Sequence, residues 1–100
     1  MTTEEYRQKL EELEIEYKNK KDALGREFAM SNNPYKVGNI LQDHYQIIQV
    51  EKIKWIWMYG TSSTPECVYY GTQLTAKLEP KKRQDINPYM HQSNVLRKLN

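Results

Sequence analysis

One hundred residues make one domain at most, and a chain this short buries only about two-thirds of its unfolded surface, so stability is marginal without a partner. Hydrophobic residues are 38% and charged residues 28%, and the aromatic set is eight Tyr and two Trp against one Phe, which excludes a disordered tail. The net charge of +2 names no partner, and the lone Cys67 excludes an intramolecular disulfide or a multi-cysteine zinc site.

No apolar run approaches the roughly 18 residues of a membrane span, and no cationic, apolar, small-residue signal opens the chain. The expectation is a cytoplasmic protein with no membrane partner.

Residues 1–33 read as a helical unit. Thr2 and Glu5 have the spacing of a capping box, in which hydroxyl and carboxylate satisfy the free amides of the first turn. Tyr6, Leu10, Leu13, Tyr17, Leu24 and Phe28 then recur at helical spacing and form one straight stripe. Lys20 stands where the next heptad position falls, which favours a helix laid on a sheet, or a short dimer, over a long coiled coil. Glu4, Glu5, Glu11, Glu12, Glu14 and Glu16 crowd the first half, with Lys18, Lys20, Lys21 and Arg26 later, as the helix dipole prefers. Glu14 with Lys18 and Glu16 with Lys20 are spaced to pair. Gly25 is the weak point, costing about 1 kcal/mol relative to Ala. Ser31-Asn-Asn-Pro34 ends the helix.

From Tyr35 the period changes to two. A short first strand is predicted over residues 36–41 and a long one from Tyr45 to Tyr59. In the long strand Ile48 and Val50 share one parity, whereas Ile53, Trp55, Trp57 and Tyr59 share the other, so a bulge or bend is expected at Glu51 and Lys52. Residues 61–65 are the expected hairpin connection. The next strand alternates Val68, Tyr70, Thr72, Leu74, Ala76 and Leu78 with Cys67, Tyr69, Gly71, Gln73, Thr75 and Lys77. A charged turn at 79–85, a weaker edge strand at 86–91 marked by Pro88, a turn at 92–94 and a short apolar segment at 95–99 complete the chain. Four or five short, bent strands in residues 34–100 predict closure into a small antiparallel SH3-like β-barrel, giving an α+β chain whose helix is the lid.

The runs Tyr35-Lys-Val-Gly-Asn-Ile-Leu-Gln-Asp43, Ile48-Gln-Val-Glu-Lys-Ile53, Pro65-Glu-Cys-Val-Tyr-Tyr-Gly71 and Gln92-Ser-Asn94 resemble small uncharacterised proteins of bacteriophages and bacterial mobile elements. The Lys-Val-Gly-Asn-Ile opening also resembles the first strand of SH3-like barrels. The likeness covers roughly the last two-thirds of the chain and carries no catalytic motif. It implies an accessory factor of a phage or mobile element.

Catalytic chemistry finds little footing. Cys67 sits inside a strand with no family signature around it and reads as a structural thiol rather than a nucleophile. His44 and His91 have no spacing that imposes acid–base roles, and with Asp43 and Cys67 they form no HxxxH or CxxC metal pattern. Gly25, Gly38, Gly60 and Gly71 build no phosphate-cradling loop. The expectation is no enzyme, no cofactor and no metal.

Two features point to binding. Ile53 to Tyr59 is apolar on both faces, Trp55 and Trp57 on one and Ile56 and Met58 on the other, and a strand apolar on both sides is covered on both sides. Trp55, Ile56, Trp57, Met58 and Tyr59 are therefore candidate interface residues, covered by the helix, by a second subunit or by another protein. Residues 34–100 also carry nine bases against five acids, net +4, while the helical unit carries six against eight, net −2. Lys81, Lys82 and Arg83, with Tyr69 or Tyr89 as stacking partners, are the candidate site for nucleic acid or a signalling nucleotide; a solvated turn that blunts a sheet edge is the plainer reading. The leading expectation is a protein-binding module, with homo-oligomerisation through the helix or aromatic strand, and anionic-ligand binding is the alternative.

Overall fold

The computed structural model describes residues 1–57 and 64–100. Met58, Tyr59 and the first part of the hairpin connection expected over 61–65 lie outside the described residues. Helix α1 (Thr3–Ser31) opens at the expected cap through the hydroxyl half of the capping box, Thr2 Oγ1 accepting the Glu5 amide at 3.2 Å, and carries the Glu16–Lys20 ion pair at 2.9 Å. Its end is closed by Asn32, whose backbone and side-chain amides both donate to the Phe28 carbonyl. Among the described residues no helix is long and apolar enough to cross a membrane.

Strands β1 (Ile40–Gln42), β2 (Ile47–Trp57), β3 (Pro65–Leu74), β4 (Tyr89–His91) and β5 (Arg97–Lys98) follow, with a 3-10 turn at Gln92–Asn94 before β5. They form one antiparallel sheet in the order β4-β3-β2-β1-β5. The chain is thus α+β, but the sheet is open: β4 and β5 are its two edges, and the closure expected of an SH3-like barrel is not made. Strands of three and two residues are too short to bridge the gap, and the C-terminal part of α1 covers the face that closure would otherwise have sealed.

The irregularity expected at Glu51 and Lys52 is present. Val50 pairs with Gly71 and Lys52 with Tyr70, leaving Glu51 as the extra residue of a bulge. It transfers the inward parity from Ile48 and Val50 to Ile53 and Trp55. On β3 the inward set is Cys67 and Tyr69, which join Leu41, Ile48, Val50, Met90 and Ala29 in the core. Gly71 sits across from the bulge because nothing larger fits: a Cβ there would stand 1.8 Å from the Gln49 carbonyl oxygen.

The helix does not dock through its apolar stripe. Gly25 and Ala29 are its buried residues, whereas Tyr6, Leu10, Leu13, Tyr17, Leu24 and Phe28 are all exposed. At 100° per residue the docked face lies roughly 120° around the helix from the stripe. Gly25 explains the choice, since a Cβ on it would meet the Trp57 and Trp55 rings at 2.6 and 3.0 Å. The missing side chain lets two indoles press onto the helix backbone, so the residue that weakens the isolated helix is the one that seats it. Residues 3–21 continue past this contact, exposed throughout, and the molecule is 68 Å long against 25 and 23 Å across.

Candidate interaction surfaces

Three surfaces present chemistry. The first is the aromatic corner where β2 meets α1. Trp55 and Trp57 pack edge to face with ring centroids 5.6 Å apart; Trp57 Nε1 donates to Asp22 at 3.4 Å, and the Lys21 ammonium lies 5.5 Å over the Trp57 ring. Of the coverings the sequence left open for this strand, the chain's own helix is the one observed on the indole face. Trp55 and Ile56 are half-buried, and Trp57 keeps 36% of its surface exposed.

The second surface is the sheet face turned away from the helix. Strand parity places Lys52 and Lys54 there beside Tyr70 of β3 and Tyr89 of β4. The Lys54 ammonium stands 5.3 Å over the Tyr70 ring, and the Tyr70 and Tyr89 rings are 6.0 Å apart. These four side chains, with Ile86 and Asn87, line a groove of about 530 Å³. Of these, Tyr89 is a candidate from sequence and Lys52, Lys54 and Tyr70 are not; the signal that points to the lysines is that they share the parity opposite to Ile53 and Trp55.

The anionic-ligand set expected from sequence is not assembled as expected. Tyr69 is 0% exposed, its hydroxyl donating to Asn33 Oδ1, so no base can stack on it. Lys81, Lys82 and Arg83 are exposed, but Lys81 lines a hollow beside Leu74, Thr75 and residues 42–47, a different one from the groove that Tyr89 lines. The turn carrying them is tied down rather than loose. Lys81 N–H donates to the Gln73 carbonyl at 2.9 Å, and Gln84 and Asp85 clasp the buried Gln73 side chain and backbone through four hydrogen bonds between 2.7 and 2.9 Å.

The chain's one cysteine is not poised as a nucleophile. Cys67 Sγ is buried and donates to the Ala29 carbonyl at 3.4 Å, and burial, reinforced by Glu66, pushes its thiol pKa up, away from the thiolate a nucleophile needs. Burial likewise raises the Tyr69 phenol, helped by Cys67, Tyr35 and Glu66. Glu66 joins β3 to the last segment, accepting from Ser93 N–H and Oγ and lying 3.2 Å from His91 Nδ1. Among the described residues no group of three or more His, Cys, Asp or Glu could hold a metal ion.

The third surface is the stripe of α1. Along residues 3–21, Tyr6, Leu10, Leu13 and Tyr17 are between 42% and 68% exposed. Comparison with protein-family models, with curated proteins and with solved structures found no match to this chain.

Proposed function

We propose that this chain is a non-enzymatic protein-binding module that presents its projecting helix to another protein, in the role of a phage or mobile-element accessory factor acting on a host component. One observation carries the reading: a continuous apolar stripe, Tyr6 to Tyr17, stands in water on a helix whose docked face is elsewhere. Single exposed apolar residues are ordinary, but contiguous ones rimmed by charge mark interaction surfaces. The bacterial setting rests on the sequence resemblance alone. Capture of partners from a bacterial lysate by the full chain is expected to fall at least tenfold, about 1.4 kcal/mol, when Leu10 and Leu13 are both changed to Ala, and to respond little to salt. Equal capture by both forms would remove the reading.

The groove of Lys52, Lys54, Tyr70 and Tyr89 supports a second reading, binding of a nucleic acid or signalling nucleotide by ammonium–phosphate contact with base stacking on tyrosine. It ranks second because Glu51 lines the adjoining hollow with Lys52 and offsets part of the positive field. Changing Lys52 and Lys54 to Gln should weaken oligonucleotide or nucleotide binding and reduce its salt slope by about 2. An unaltered slope would count against it.

A further inference from the structure

We propose that the exposed stripe of the N-terminal helix pairs with the same stripe of a second copy of this chain, antiparallel, with Leu10 of each copy opposite Leu13 of the other. The inference rests on reading the stripe as a protein-binding surface and makes a second copy of the chain, rather than a host component, what covers it in the isolated protein. Two observations select a second copy. A helix in a protein owes most of its stability to packing of its amphipathic face, and residues 3–21 receive no cover from the sheet. The charges flanking the stripe are also self-complementary, and the charged seam residues Lys20 and Glu27 choose the direction.

Assigning Leu10 and Tyr17 to one seam position of the heptad and Tyr6 and Leu13 to the other, the flanking residues are Arg7 and Glu14 on one side and Lys9 and Glu16 on the other. In an antiparallel pair centred between Leu10 and Leu13, Tyr6 meets Tyr17 of the second copy. The two-fold axis brings Arg7 against Glu14 and Lys9 against Glu16, each twice, so every flanking contact joins opposite charges. Lys20, the polar residue that interrupts the heptad, falls opposite Thr3 at the end of the overlap, where its ammonium reaches water and already pairs with Glu16 at 2.9 Å. The macrodipoles oppose.

A parallel, in-register pair does worse. Its flanks are also complementary, but it stacks Lys20 on Lys20 and Glu27 on Glu27 in the seam itself. The antiparallel overlap spans residues 3–20, the part of α1 that lies clear of the sheet, and it leaves the two sheets at opposite ends of the pair. The faces cooperate: the docked face with Gly25 and Ala29 is roughly 120° from the seam, so neither sheet obstructs the other helix.

The experiment is the mass of the full chain in solution by light scattering and sedimentation, at concentrations spanning micromolar to several hundred micromolar. The expected result is a species of twice the chain mass. Leu10→Glu with Leu13→Glu should return it to one chain mass while the fluorescence of Trp55 and Trp57, which lie on the sheet, stays native. Arg7→Glu with Lys9→Glu, and separately Glu14→Lys with Glu16→Lys, should each weaken the pair, and mixing the two variants should restore it. Direction is read by mixing Thr3→Cys and Lys20→Cys chains under mild oxidation: the heterologous 3–20 cross-link supports the proposal, and Thr3→Cys linking to itself overturns it. A chain of single mass throughout the range also overturns it. If that monomer still loses capture of another protein on Leu10→Glu, self-pairing fails while the protein-binding reading stands.

Discussion

Gly71 and Gly25 are placed by what touches them, and they differ in how much the neighbour can yield. A Cβ on Gly71 would strike the backbone of Gln49, fixed by the sheet, so Gly71→Ala must break the bulge or part the strands. Chemical denaturation should show a loss of about 2–4 kcal/mol, the upper end of overpacking costs because no side chain can move aside. Tyr69 shows the same over-determination in polar form: it is edge-on to Tyr35 at 5.5 Å and hydrogen-bonded to Asn33, the residue just beyond the helix end. Its phenol and the Cys67 thiol both titrate above their ordinary values in the folded state. The unfolded chain therefore releases these protons first, so their contribution is fully present below about pH 8.5 and declines as pH rises through the ordinary thiol and phenol range of about 8.5 to 10. Melting curves from pH 7 to 11 should show a midpoint falling above about pH 9, and Cys67→Ala with Tyr69→Phe should flatten that fall.

At the scale of elements, the helix shows how periodicity and docking can disagree. Hydrophobic spacing identifies a helix and its apolar side, but which side meets the sheet is decided by shape. Two indoles need a flat place to lie, and Gly25 with Ala29 provides one. Gly25→Leu raises helix propensity by about 0.8 kcal/mol yet drives a side chain into Trp57 and Trp55. The expected outcome is a helix that remains helical by circular dichroism but leaves the sheet, read as a red shift of tryptophan emission and loss of protection near residues 22–30. If emission were unchanged, the glycine would not be what seats α1. The same logic applies to β3, where both parities carry apolar residues: only pairing of Trp55 with Cys67 and Ile53 with Tyr69 decides that Cys67 and Tyr69 face inward.

At the scale of the molecule, a small open sheet holds the core and a long arm holds the exposed apolar stripe. The core residues all lie on the sheet or in the last turns of α1, with Ala29 as the helix's member. Removing residues 1–20 should therefore leave the denaturation midpoint of a dilute sample within a few degrees of the full chain. The full chain alone should gain stability with concentration, because association favours the folded form by mass action. The sequence by itself determined the capped helix and its end, four of the five strands in their order along the chain, the bulge at Glu51 and the edge character of the strand after Pro88. Each depends on neighbours within one turn or a few residues, where capping, periodicity and proline geometry act. Only the tertiary structure decided that the sheet stays open, that Tyr69 is buried and so unavailable for stacking, that Lys52 and Lys54 meet Tyr70 and Tyr89, and that the apolar stripe faces water. Those outcomes turn on which surfaces meet across separations far longer than a helical turn, from Lys54 against Tyr70 to Leu41 against Lys98, and at the helix close packing of two indoles against a glycine prevailed over the stripe.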